Sequence, residues 1–298
     1  IALQGDATWN LNIGWRWMFG SEIIPSLLFL IFIFLIPESP RWLFQKGSTN
    51  KAIAVLQQLN TKEEAAQVQS EIQSSLHQED KNQWKNLSNP IYKKVLFVGI
   101  GLSVLQQLTG INAILYYAPE IFKSLGSSTD VSLLETSILG VVNLIFTLLA
   151  IRLVDKMGRK PLLYIGSVAM TIALASVGLF IYYNAVGNWV LPFLLLFMGA
   201  FSISWGPIVW VLLSEIFPNK IRSLALAISV FIQWVANFVV TQVFPSLVEN
   251  QWLKDHFNGA FPFYLFSVIC LFSIYFIHKY IPETKNKSLE EINELWKI

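Results

Sequence analysis

Apolar residues in this chain come in long blocks. Seven blocks reach or approach the roughly 20 residues that a helix needs to cross a bilayer. They are residues 15–36, 95–117, 131–151, 161–183, 189–213, 223–248 and 260–277. Only the first and third hold a charge: Arg16, Glu22 and Glu135. Trp15, Trp17, Tyr182, Tyr183, Trp189, Trp252 and Tyr280 fall near block ends, where amphipathic rings prefer the interface. One long polar stretch interrupts the series, residues 37–94. There Ala52, Val55, Leu56 and Leu59 recur at helical spacing, and Glu38 or Ser39 followed by Pro40 reads as a helix start. The pattern predicts an all-α membrane protein with a solvated helical segment after the first span.

Composition agrees. The chain has 298 residues, 54% hydrophobic and 13% charged, with mean hydropathy +0.52. Soluble domains carry about 25% charged residues. A net charge of +2 and no basic cluster interleaved with aromatics argue against a nucleic-acid partner. The single cysteine, Cys270, rules out an intrachain disulfide and a cysteine-based metal site. No cofactor is expected. His77, His256 and His278 lie apart and read as solvated or headgroup-level residues. Of the 21 Lys and Arg residues, all but Arg16, Lys123 and Lys254 fall on the side that holds the polar stretch. That side should be cytoplasmic, with the C-terminus inside and the N-terminus outside. An outside start without a signal segment, at Ile1, suggests that earlier helices precede this chain.

The most polar membrane stretch is 103–122, SVLQQLTGINAILYYAPEIF. A buried amide in hydrocarbon is unfavourable unless hydrogen-bonded, so such a helix should face a bundle interior or a cavity. At about 1.5 Å per residue, Gln106 and Gln107 lie about 18 Å from Lys94, Gln233 and Trp234 about 17 Å from Arg222, and Asn143 about 20 Å from Asp130. All fall near the middle of a core about 30 Å thick. Gly110 and Gly206-Pro207 are helix breakers at the same depth, where transporters place discontinuous helices. Gln and Asn both donate and accept, as hydroxyls do. The indoles of Trp210 and Trp234 suit the C–H face of a pyranose. Amides can also bond helix to helix, and a kink can be only a kink. At one edge, Glu38 with Arg41, Asp155 with Arg159, and Glu215 with Arg222 could pair as a latch or serve as anchoring charge. Glu22 and Glu135 sit close to the outer surface and read as structural.

A short repeat closes the first and last spans: Pro37-Glu38-Ser39 and Pro282-Glu283-Thr284. It suggests a six-helix unit. Five segments carry a wider likeness: PESPRWL (37–43), QQLTGINAILYYAPEIF (106–122), DKMGRKPLL (155–163), GPIVWVLLSEIFPNKIRS (206–223) and PETKNKSLEEI (282–292). In this order they resemble the sugar porter family of the major facilitator superfamily. QW at 233–234, FPSL at 244–247 and Ser202, where animal glucose facilitators carry an acid, lean toward the bacterial xylose-type branch.

The resemblance implies a twelve-helix fold in two halves, of which this chain resembles helices six to twelve. It implies an outer segment (1–14), the last helix of the N-terminal half (15–36), a cytoplasmic linker (37–94), a six-helix C-terminal half (95–281) and a cytoplasmic tail (282–298). It also implies inward transport of D-xylose or a related pentose or hexose with a proton. The partners would be the monosaccharide, the proton, lipid of a bacterial inner membrane and an N-terminal half of the same protein. Sugar contacts map to Gln106, Gln107, Asn112, Tyr116, Asn143, Trp210, Gln233 and Trp234. The family's charge network maps to Glu38, Arg41, Asp155, Arg159, Glu215 and Arg222. Its proton-coupling acid would lie on a helix outside this chain. An uncoupled sugar facilitator is the alternative. A seven-helix receptor fits less well, given the repeat and the polar stretch. An enzyme fits poorly, because the spans hold no nucleophile–base pair, metal cluster or phosphate loop.

Overall fold

The structure, a computed structural model, describes residues 9–77, 83–185, 189–218, 220–285 and 296. Residues 1–8 of the expected outer segment, and 286–295 and 297–298 of the expected tail, lie outside the described residues. The described secondary structure is helical, and seven helical stretches are long and apolar enough to span a membrane: Asn12–Leu35, Pro90–Tyr116, Thr129–Met157, Arg159–Tyr182, Val190–Ile216, Arg222–Glu249 and Phe261–Tyr280. Each overlaps one of the seven blocks read from the sequence.

The chain forms two compact units, Ile1–Glu79 and Asp80–Ile298. The division falls inside the polar stretch. In the first unit a π-helical turn, Asn10–Gly14, leads into α1 (Trp15–Ser21) and α2 (Ile23–Leu35), then α3 (Pro40–Gln45), α4 (Thr49–Leu59) and α5 (Lys62–His77). Ser39 precedes α3 and Pro40 opens it, where a missing N–H has no consequence. Leu43, Ala52, Leu56 and Ala65 are buried together as a small core. The start of α5 is a capping box: Thr61 N and Oγ1 donate to Glu64 Oε2 at 3.0 and 2.8 Å. Those bonds hold the Glu64 carboxyl below its usual pKa, the Thr61 backbone N–H contributing most.

The second unit holds α6 (Gln83–Asn86), α7 (Pro90–Leu108), α8 (Ile111–Tyr116), α9 (Ala118–Ser124), α10 (Thr129–Met157), α11 (Arg159–Tyr182), α12 (Val190–Ile203), α13 (Trp205–Ile216), α14 (Arg222–Glu249), α15 (Gln251–Phe257) and α16 (Phe261–Tyr280). Helix α7 packs on α14, while α11 packs on both α12 and α16 and α10 covers α12. Its start is fixed by the Asn89 side chain, which accepts from Ile91 N at 2.9 Å, and by Pro90. The helix therefore begins before Lys93 and Lys94, five residues ahead of the apolar block at 95.

Two spans of the second unit are broken, as the first unit's span is at Glu22 between α1 and α2. The second breaks at Gly110, whose φ of +86° suits glycine. A Cβ there would run into the Phe266 ring. The fifth breaks at Ser204, between α12 and α13, not at Gly206-Pro207. Pro207 is the third residue of α13. The first N–H groups of a helix have no intrahelical acceptor, so proline fits there without loss.

Candidate functional site

The buried stripe of α14 runs Ala225, Ser229, Gln233, Asn237, Val240 and Phe244. It faces α7, whose buried residues include Ser103, Gln106 and Gln107. Two helices thus put amides into one contact, and the break at Gly110 brings Asn112 alongside. Asn112 Nδ2 donates to Gln107 Oε1 at 2.8 Å and to Asn237 Oδ1 at 2.9 Å. Both of its N–H groups are then used, leaving its carbonyl oxygen available. Gln107 Nε2 lies 3.4 Å from Gln106 Oε1.

Gln106 itself holds the other broken helix. Its Nε2 donates to Trp205 O at 2.8 Å and Gly206 O at 3.2 Å, in the first turn of α13. Behind it, the fully buried Trp205 donates through Nε1 to Ser167 Oγ at 2.8 Å, and the Ser273 hydroxyl lies 3.0 Å from the same oxygen. Three residues before Trp205, Ser202 meets Asn143 of α10. So Asn143, Gln106, Gln107, Asn112 and Asn237 form one polar belt over α10, α12–α13, α7–α8 and α14. Gln233 joins it one helical turn from Asn237. It is 3% exposed, and its Oε1 has no partner among the described residues.

The expected aromatics behave differently from the amides. Tyr116, Trp210 and Trp234 are 59%, 44% and 57% exposed, so their rings stand on the surface of this unit. Asn237 was missed in the sequence. It lies four residues after Gln233 on the same helical face, and that spacing is the signal that could have found it. A cavity of about 690 Å³ has Tyr117, Phe244 and Lys254 in its wall. None of the belt amides lines it.

The basic edge holds a second constellation. Arg159 grips Glu215 with two bonds, Nη2 to Oε1 at 2.8 Å and Nε to Oε2 at 3.3 Å. Thr284 Oγ1 donates to Glu215 Oε2 at 2.6 Å. Glu215 thus meets Arg159, across elements, where the sequence suggested Arg222; Arg222 Nε donates to Phe217 O at 3.0 Å. Asp155 lies 3.6 Å from Arg159 but is 81% exposed, so that pair contributes little. Glu38 is exposed and Arg41 half-buried, both within the first unit.

Glu283 completes the edge. Its carboxylate accepts from Arg159 N at 3.1 Å, Lys160 N at 3.0 Å and Lys285 N at 2.9 Å. It caps the start of α11, where unpaired N–H groups and the helix dipole favour an anion. Gly158 makes room, with φ +92° and a position where a Cβ would come within 2.8 Å of the carboxylate. The Pro-Glu-Thr motif announced Glu283 and Thr284 as a repeat, but not what they bind.

The model of the family described as "Sugar (and other) transporter" matches residues 2–296. This chain belongs to that family. The "D-xylose-proton symporter" of Escherichia coli (strain K12) is 47% identical over 296 residues, covering 99% of this chain and 60% of the relative. The "Arabinose-proton symporter" of Bacillus subtilis (strain 168) is 40% identical over 99% of this chain and 63% of the relative. The chain thus spans about three-fifths of the length of these curated relatives. A solved structure of the "MFS (major facilitator superfamily) proton:xylose symporter XylE bound to 6-bromo-6-deoxy-D-glucose" superposes with TM-score 0.85 at 46% identity, covering 99% of this chain and 62% of that one. The fold is that of the superfamily, and the protein is a multi-pass integral membrane protein of a transporter family.

Proposed function

We propose that the whole protein is a secondary active sugar transporter that moves D-xylose, or a closely related pentose or hexose, inward with a proton. Gln233 carries the reading most directly. A buried amide oxygen without a partner costs about 1–3 kcal/mol, and a turn of this side chain toward a solute hydroxyl would satisfy it. Asn112 adds a carbonyl whose own N–H groups are both engaged. Gln107, Asn143 and Gln106 complete the amide surface, and Tyr116, Trp210 and Trp234 supply exposed rings to cover a sugar from the side open to the rest of the protein. The names of the two symporter relatives support sugar and proton as the pair carried.

In this reading residues 95–281 are the C-terminal half of a two-half transporter. Residues 15–36 belong to the other half, residues 37–94 are the linker, and 1–14 and 282–298 are the outer segment and inner tail. The basic edge faces the cytoplasm of a bacterial cell, with the chain's N-terminus outside. The halves rock about the central site. The Arg159–Glu215–Thr284 contacts latch the inner side while the outer side is open, a role that the family resemblance gives also to Glu38, Arg41, Asp155 and Arg222.

The test is uptake of labelled D-xylose into vesicles by the protein expressed from its complete reading frame, with and without an inward proton gradient. Gradient-stimulated uptake, lost in Gln107→Ala, is the expected result. Uptake indifferent to the gradient would make the protein a facilitator. Absence of xylose and glucose uptake would remove the sugar.

A further inference from the structure

Ser202 lies in the last turn of α12, 1% exposed, and Asn143 faces it from α10. The Ser202 Oγ is 2.8 Å from the Asn143 side-chain atom placed as Oδ1 and 2.7 Å from Met198 O, one turn back in its own helix. Thr147 Oγ1 is 3.3 Å from the same Asn143 atom. A serine hydroxyl has one proton. It cannot donate to both short contacts. The two ends of an amide are told apart by the network around them, and one orientation puts a proton into both short contacts of Ser202.

With the carbonyl toward Ser202, one of the two short contacts is oxygen against oxygen with no proton between. With the NH2 toward Ser202, every contact has its proton. Ser202 donates to Met198 O, and the two Asn143 N–H groups serve Ser202 Oγ and Thr147 Oγ1. The Asn143 carbonyl is then turned away from α12.

We propose that Ser202 is a positioning residue: it fixes the Asn143 amide with its carbonyl oxygen, and not its NH2, presented to the solute. This rests on the reading of the amide belt as a sugar site, and it narrows that reading. Asn112 already offers a carbonyl, because its N–H groups go to Gln107 and Asn237. Gln233 has a buried oxygen without a partner, which a turn of the side chain would bring to the solute. Asn143 then makes three acceptors on three helices. A solute that fits three acceptors must bring hydrogens. The group facing Asn143 is a free hydroxyl, and a fluorine or an ether oxygen cannot replace it.

The experiment uses the protein from its complete reading frame and competes labelled D-xylose uptake with xyloses that carry fluorine in place of each hydroxyl in turn. In the wild type, the analogue fluorinated at the Asn143-facing position should compete at least about fivefold more weakly than D-xylose, the equivalent of one lost hydrogen bond. In Ser202→Ala the freed amide can turn its NH2 to the fluorine. Discrimination at that one position should shrink to about twofold, with the other analogues unchanged. Asn143→Ala should abolish that discrimination, and Ser202→Ala should then add nothing, as expected when one residue acts through the other. Two results would overturn the proposal: discrimination in Ser202→Ala equal to wild type, or an equal weakening for D-xylose and every analogue, which is loss of packing. Failure of the sugar-site reading shows separately, as wild-type protein that takes up no sugar.

Discussion

Two membrane spans of similar length behave in opposite ways. Asn12–Leu35, the span of the first unit, is among the most apolar of the seven and has none of its apolar window buried within the described chain. Pro90–Tyr116, in the second unit, is the least apolar and the most buried, at 61%. In water the ranking would be reversed. Here lipid is as good a solvent as protein for apolar side chains, so a uniformly apolar helix can face either, whereas the polar helix must be enclosed by others. Polarity inside a span therefore marks where the protein's interior is. The amide belt follows that rule, since α7 and α8 carry Gln106, Gln107 and Asn112 into the packed unit.

The contrast can be tested by substitution, with stability read as thermal unfolding of the detergent-solubilised protein. Gly110→Val should have the largest effect, a loss of about 3 kcal/mol or more, because it forces a β-branched residue to positive φ against Phe266. Leu102→Ala, at a site with no exposure, should cost about 2–5 kcal/mol. Gln106→Leu should cost about 1–3 kcal/mol, because Trp205 O loses the amide that holds it at the α12–α13 break. Phe29→Ala in the first span, 66% exposed, should shift the stability of these 298 residues taken by themselves by no more than about 0.5 kcal/mol. A penalty there as large as that for Leu102→Ala would break the contrast.

The smallest effect concerns pH. The Thr61 bonds lower the Glu64 pKa in the folded state. Their contribution is therefore complete above the unfolded carboxyl value and is lost as pH falls through the folded one. Glu64→Gln should remove this acid dependence while leaving stability at neutral pH slightly changed, as followed by helical circular dichroism on an acid titration.

Much of this was legible beforehand. Each apolar block became helical, in one piece or two, because length and lipid compatibility are local properties. Boundaries slipped where a cap outweighed hydropathy: Asn89 and Pro90 carry α7 through Tyr92, Lys93 and Lys94, residues that read as solvated. The break in the fifth span was placed at Pro207, since proline is the visible breaker. The helix uses that proline inside a new first turn and breaks at Ser204, which no local rule singles out. The amides were found because they are conspicuous in hydrocarbon, but their partners were not. Gln106 bonds to a carbonyl 99 residues away and Thr284 to a carboxylate 69 residues away. Pairings of that kind are set by tertiary packing and leave no periodic trace.

The Glu283 cap also sets an order of events in time. The first N–H groups of α11 are satisfied by a carboxylate 124 residues further along the chain. At about 5–20 residues per second, synthesis leaves that helix start uncapped for roughly 6–25 seconds. Glu215, made 69 residues before Thr284, lacks that partner for roughly 3–14 seconds of this interval. The basic edge is thus the last part of the second unit to be locked, and the newborn bundle is held together first by its spans and only afterwards by its corner.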